Sequence, residues 1–144
     1  MAYVKVSAPP IVYHLTKKAN VPAILREKKI RRFDDRECWF CRTPEDMRRY
    51  MEYTVLNEGG IYIDNRGKVT TYPKFVPDDY ALLVITPKKQ EDKWWQWNQE
   101  LPRGVDIPSL VRAADFSRLK VGYRGDLKCK DISVCSVTAL LKHE

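Results

Sequence analysis

Two cysteines, Cys38 and Cys41, flank two large aromatic side chains in the segment CWFC. This spacing occurs in zinc sites and in thiol redox sites. A structural zinc needs about four ligands, usually as two close pairs. The other candidate ligands are scattered along the chain: His14, Cys129, Cys135 and His143. Redox chemistry would place the first thiol at a helix N-terminus, whereas Cys38 opens a predicted strand. We therefore interpret the cysteines as packing residues, and the aromatic residues Trp39 and Phe40 as the residues of interest.

A histidine, His14, lies in the apolar segment IVYHLT near the start of the chain. A neutral imidazole both donates and accepts hydrogen bonds, which suits recognition of a ligand hydroxyl. The alternative is a core histidine satisfied by backbone groups. Packing is likewise an alternative for Trp39, on a strand, and for Tyr50, which shares a helical face with Met47.

The segment KKQEDKWWQWNQ, at residues 88–99, interleaves lysines with tryptophans. Exposed tryptophans beside lysines can stack single-stranded bases, at about 1–3 kcal/mol per base. The candidate nucleic-acid residues are Lys93, Trp94, Trp95 and Trp97. The alternative is a tryptophan-rich lid folded onto the core.

Length and composition predict a single globular domain over residues 1–144. The net charge of +7 suits a polyanionic partner such as nucleic acid, or simply gives a soluble basic surface. No apolar run approaches the about 20 residues of a membrane span. The N-terminus MAYVKVSAPP has no apolar signal region, so we expect a cytoplasmic protein with reduced cysteines.

The sequence also predicts the strands and helices that position these residues. Strands are predicted at 11–16, 37–42, 80–86, 119–123 and 132–137, with a hairpin over 61–72. Helices are predicted after Asn20, after the Thr43-Pro44 start signal, and over 106–115. Residues 88–101 are expected to form a loop or a short helix. The order predicts an α+β fold with a split antiparallel sheet and flanking helices.

Three of these pieces together resemble the ADP-ribosyltransferase fold. The segment VYHLTKKANVPAIL is similar to the opening of toxins that ADP-ribosylate DNA. Trp39 and Tyr50 are eleven residues apart, which resembles the strand aromatic and helix tyrosine of the poly-ADP-ribose polymerase type. The segment GYRGDL resembles the last strands of rifampin-modifying transferases.

The resemblance implies NAD as a substrate and gives these residues roles. His14, supported by Thr16, would bind a ribose hydroxyl of NAD. Trp39 and Tyr50 would hold the nicotinamide, whose positive charge an aromatic face attracts by about 1–2 kcal/mol.

Where the family has a last-strand glutamate, this sequence offers two aspartates, Asp131 and Asp126, of which Asp131 fits the start of the last strand better. The resemblance implies that one of them stabilises positive charge during transfer of ADP-ribose to a macromolecule. Nucleic acid is the acceptor that the net charge favours. The alternative is a non-catalytic module of the same fold that binds nucleic acid or a protein, such as a mobile-element inhibitor.

Overall fold

The computed structural model describes residues 3–31, 37–56, 59–63, 66–72, 74–88, 93–97 and 107–142. Within these ranges the chain forms ten strands. They are β1 (Tyr3–Lys5), β2 (Val12–Lys17), β3 (Lys29–Ile30), β4 (Glu37–Phe40), β5 (Ile61–Ile63), β6 (Val69–Thr71), β7 (Tyr80–Pro87), β8 (Trp94–Trp97), β9 (Val121–Arg124) and β10 (Leu127–Ser136). The α-helices are α1 (Val21–Glu27), α2 (Pro44–Tyr53), α3 (Ile107–Leu119) and α4 (Val137–Lys142).

Two four-stranded antiparallel sheets carry the fold. The first sheet has the order β1-β8-β9-β4, the second has the order β2-β7-β10-β3, and β5 with β6 forms a separate hairpin. The apolar strand β7 lies between β2 and β10, as its continuous hydrophobic run predicts. The α+β class with antiparallel sheets is confirmed.

The core lies between the two sheets. The first sheet contributes Phe40, Trp94 and Tyr123, and the second contributes Leu83 and Ile85, all of which are buried. Trp94 packs against Phe40 and Tyr123 with ring centroids 5.9 Å and 5.0 Å away. Alternate residues of a strand point to opposite faces of the sheet. Trp39 and Trp95 therefore lie on the face of the first sheet that is turned away from this core.

Helix α2 starts where the sequence predicts. Thr43 is its N-cap, and its hydroxyl accepts a hydrogen bond from the Asp46 N–H at 3.0 Å. Met47 and Met51 are buried in a second apolar cluster. Asn20 differs from the prediction: its side chain does not cap α1 but donates to the Thr16 hydroxyl at 3.3 Å.

The tryptophan segment is the main difference from the predicted elements. Trp94–Trp97 forms strand β8, which pairs with β1 and β9, where a loop or short helix was expected. Residues 89–92 and 98–101 of the expected loop or helix lie outside the described residues. Strands β1 and β3 and helix α4 were also not predicted, because each is short and takes its partners from distant parts of the chain. None of the helices in the described ranges is long and apolar enough to cross a bilayer.

Asp115 joins α2 to α3 through its carboxylate. The carboxylate accepts hydrogen bonds from Arg49, from Arg118 and from the Tyr53 hydroxyl, the last at 2.7 Å. The hydrogen bond from Arg49, followed by that from Tyr53, lowers the pKa of Asp115 to about 2. The stabilisation from this carboxylate is therefore present above its ordinary pKa of 3.8 and is lost as the pH falls through about 2.

We expect Asp115→Asn to lower the free energy of unfolding by about 1 kcal/mol at neutral pH, a small value because both arginines are largely exposed to solvent. Urea unfolding at several pH values measures this difference. It should shrink as the pH falls from about 4 towards 2. Asp131→Asn, at an exposed position on β10, serves as the control. A difference that does not change with pH would contradict the role of the Asp115 charge.

Candidate functional site

The site begins where strands β2 and β4 separate. Tyr13 and Cys41 exchange two backbone hydrogen bonds, of 2.7 and 3.0 Å, and join the edges of the two sheets. At the next residue of β2, a side chain instead of the backbone makes the contact between the two strands. The Nδ1 atom of His14 lies 3.1 Å from the Trp39 carbonyl oxygen. The imidazole also packs on Phe40, with ring centroids 5.2 Å apart. His14 therefore stands in the opening between the two sheets.

This contact fixes the protonation of His14. A carbonyl oxygen only accepts hydrogen bonds, so Nδ1 carries the proton. Burial lowers the pKa of His14, and the hydrogen bond to Trp39 opposes that shift only in part. The ring is therefore neutral at physiological pH, and Nε2 remains as a hydrogen-bond acceptor. Such an acceptor suits a hydroxyl group on a ligand.

A cleft of about 1360 Å³ opens beside His14. Small-molecule sites usually measure roughly 300–1,000 Å³, so this cleft is large enough for an extended ligand. All four residues predicted to bind NAD are among those that line it: His14, Thr16, Trp39 and Tyr50. His14 and Thr16 lie on β2, Trp39 lies on β4 and Tyr50 lies on α2. Three elements therefore contribute to the cleft.

The Trp39 indole is held between a glycine and a lysine. Its six-membered ring lies over Gly122, the strand partner of Trp39 on β9, so closely that a Cβ there would be 2.9 Å from Cζ3. The Lys120 ammonium lies 4.9 Å from the ring centroid. The indole thus already has a cation over its π system, and Lys120 lines the same cleft.

Neither Tyr50 nor Cys41 is suited to act as a nucleophile. Burial raises the pKa of the Tyr50 hydroxyl to about 12, so the phenol stays neutral. Burial also raises the pKa of the Cys41 thiol to about 12. Among the described residues, no group of three or more His, Cys, Asp or Glu side chains is placed to hold a metal ion. The side chain of Cys38 lies outside the described residues.

Basic residues outnumber acidic ones along the cleft. Its described lining has six lysines and arginines, Lys17, Lys18, Lys29, Arg31, Lys74 and Lys120, against the three acids Glu27, Asp78 and Asp79. Glu27 accepts two hydrogen bonds from Arg31, at 3.0 and 3.2 Å. The lining therefore favours an anionic ligand.

The two aspartates predicted as catalytic do not line the cleft. Asp131 is exposed on β10 and pairs with Thr86. Asp126 is half-buried in the turn before β10 and directly precedes Leu127, whose strand partner Ile30 does line the cleft. Asp126 is thus next in sequence to a residue whose strand partner lines the cleft, and the choice between the two aspartates stays a prediction.

The tryptophan segment divides between the two faces of its sheet. Trp94 is fully buried against Phe40 and Tyr123 and offers no face to a base, which corrects its proposed stacking role. Trp95 is half-buried on the other face, with the Arg124 guanidinium 4.5 Å from its ring centroid. Lys93 is exposed, and its ammonium lies 5.9 Å from the Tyr123 ring centroid. The Trp97 side chain lies outside the described residues.

The sequence reasoning missed Lys120 and Gly122. A glycine inside a strand often marks a close approach by another group, so Gly122 carried a usable signal. Its partner Trp39 lies more than eighty residues earlier, and the register between β4 and β9 was not readable from sequence.

Comparison with known proteins does not place this chain in a family. No protein-family model matches the chain, and no curated protein or solved structure matches it. The resemblance to ADP-ribosyltransferases therefore stays a prediction based on short sequence motifs.

Proposed function

We propose that the cleft binds NAD and that the protein transfers ADP-ribose from it to a macromolecular acceptor. The observation that carries this proposal is the convergence of His14, Thr16, Trp39 and Tyr50 on one cleft with a basic lining. The resemblance of short sequence motifs to ADP-ribosyltransferases points to these four residues, and they come from three different elements. Packing alone requires their burial but not a shared opening to solvent.

The chemistry of each group fits a part of NAD. A ribose hydroxyl would donate to Nε2 of the neutral His14, and the lysines and arginines of the lining would bind the pyrophosphate. The nicotinamide is cationic and would lie by the Trp39 ring, replacing the Lys120 ammonium there. Lys120 would then be available to the phosphates.

Bound NAD supplies an ADP-ribosyl group whose bond to nicotinamide breaks as positive charge develops at the ribose carbon. The nicotinamide leaves with the bonding electron pair, and an acceptor nucleophile forms the new bond to that carbon. A nearby carboxylate stabilises the developing charge. We assign this role to Asp126, which adjoins the strand beside the cleft wall.

A second candidate, a non-catalytic module that binds NAD without cleaving it, is favoured by one observation. Both Asp126 and Asp131 are absent from the described residues that line the cleft. Glu27, Asp78 and Asp79 do line the cleft, but unless a carboxylate lies at the reacting carbon the site would hold the ligand without cleaving it.

Calorimetric titration with NAD, paired with chromatographic detection of nicotinamide, tests both candidates. We expect saturable binding that weakens about tenfold in Trp39→Ala, the loss of one cation–π contact. Trp95→Ala is the matched control, since Trp95 occupies the same sheet face but does not line the cleft.

Nicotinamide release that is lost in Asp126→Asn would support transferase activity. Binding without release would favour the non-catalytic module. Absence of NAD binding would overturn both candidates.

A further inference from the structure

We propose that the outer face of the sheet β1-β8-β9-β4 binds single-stranded nucleic acid, with bases stacked on Trp95 and Trp39. This inference concerns the outer sheet face, which shares Trp39 and Lys120 with the cleft, and it does not depend on NAD binding. It also differs from the sequence expectation, because the buried Trp94 takes no part and Trp39 does.

Strand register places the two indoles on one face. Lys5 is opposite Trp95, Trp95 is opposite Gly122, and Gly122 is opposite Trp39, in four neighbouring strands. Directly opposite residues point to the same side of a sheet. Two strand spacings separate Trp95 from Trp39, which is about 10 Å between backbones. The residue between them is Gly122, and because it has no side chain, no third side chain separates the two indole rings.

Two cations flank the indoles on this same face. Lys120 and Arg124 lie two residues before and after Gly122, so they share its side of the sheet. Lys120 lies 4.9 Å from the Trp39 ring centroid and Arg124 lies 4.5 Å from that of Trp95. Lys5 and Arg124 are exposed, and both indoles are half-buried, so the face reaches solvent.

This combination matches a polyanion that carries flat apolar groups. Among the described side chains of this face, Lys5, Lys120 and Arg124 supply three positive charges. Lys120 and Arg124 would move from the indoles to the phosphates, and the bases would stack on the ring faces that the two cations leave. In a duplex the base faces are already stacked on one another, so the face fits a single strand.

Fluorescence anisotropy with a labelled oligothymidine of about 12 nucleotides measures this binding. We expect binding that weakens steeply with salt, and a duplex of the same length that binds more weakly. Trp95→Ala should weaken oligothymidine binding by about tenfold, as expected for one lost stacking contact. Arg124→Gln should weaken it by about fivefold and make the salt dependence shallower. Lys128→Gln, at an exposed lysine of the second sheet, should leave it unchanged.

Thermal unfolding of each variant checks that the fold is retained, and Arg124→Gln tests the face even where Trp95→Ala does not fold. Wild-type affinity in folded Trp95→Ala and in Arg124→Gln would overturn the proposal. Equal loss in Lys128→Gln would also overturn it, because it would indicate general attraction to a basic protein. Displacement of the oligonucleotide by polyglutamate at the same charge concentration would reassign the face to acidic peptides and overturn the stacking.

Discussion

His14→Ala is expected to lose NAD binding and to lower the free energy of unfolding by about 2–4 kcal/mol. The loss of stability follows because the variant leaves the Trp39 carbonyl without the Nδ1–H donor and removes a ring that packs on Phe40. The loss of binding follows because the Nε2 acceptor is gone. Calorimetric titration and urea unfolding measure the two effects separately.

His14→Asn separates support of the fold from recognition of the ligand. The asparagine amide can place an N–H near the position of Nδ1 and keep the hydrogen bond to Trp39, but it has no atom at the position of Nε2. We expect this variant to regain most of the lost stability and to bind NAD about tenfold more weakly than the wild type. Wild-type affinity in His14→Asn would show that Nε2 makes no contact with the ligand.

His14 also makes the stability of the wild-type protein depend on pH. Burial lowers the pKa of His14 below its ordinary value of 6.5, so the unfolded chain takes up a proton before the folded protein does. Stability should therefore begin to fall as the pH drops below about 6.5, and His14→Asn should lack that part of the decline.

Gly122→Ala is expected to displace the Trp39 indole and to weaken both NAD binding and oligonucleotide binding. A Cβ at this position would lie 2.9 Å from Cζ3 of Trp39 and 3.1 Å from two further ring atoms. Overpacking of this kind costs about 1–3 kcal/mol. Because Trp39 lines the cleft and also lies on the outer sheet face, one displaced ring should affect both ligands. Tryptophan fluorescence should change before any ligand is added.

Gly125→Ala is the matched control for this variant. Gly125 has a positive φ of 97°, so alanine there is strained, yet no atom outside its chain neighbours lies within 4 Å of the added Cβ. The control should lose stability without changing the fluorescence of Trp39. Unaltered fluorescence and affinities in Gly122→Ala would contradict the packing of Trp39 over this glycine.

Local signals in the sequence predicted the elements that local forces determine. The Thr43-Pro44 start gives α2 its cap, and the run at residues 80–86 is apolar enough to require burial on both faces. The strand Trp94–Trp97 was missed because its pairing partners lie about ninety residues earlier and nearly thirty residues later. Its flanking lysines and acids resemble a loop until those partners are known.

The candidate site was also predictable only in part from the sequence. The resemblance to the poly-ADP-ribose polymerase type related Trp39 to Tyr50, and both residues line the cleft. The contacts of Trp39 with Lys120 and Gly122 depend on the register between β4 and β9, which sequence did not provide. The choice between Asp131 and Asp126 stays a prediction, because it depends on the pairing of β10 with β3, which sequence did not provide.

The most direct test is a crystal structure of the protein with an NAD analogue whose glycosidic bond cannot be cleaved. The proposal predicts a ribose hydroxyl within hydrogen-bonding distance of His14 Nε2, and the nicotinamide beside Trp39 and Tyr50 in the opening between β2 and β4. An analogue bound elsewhere on the protein, with this cleft holding only water, would contradict it.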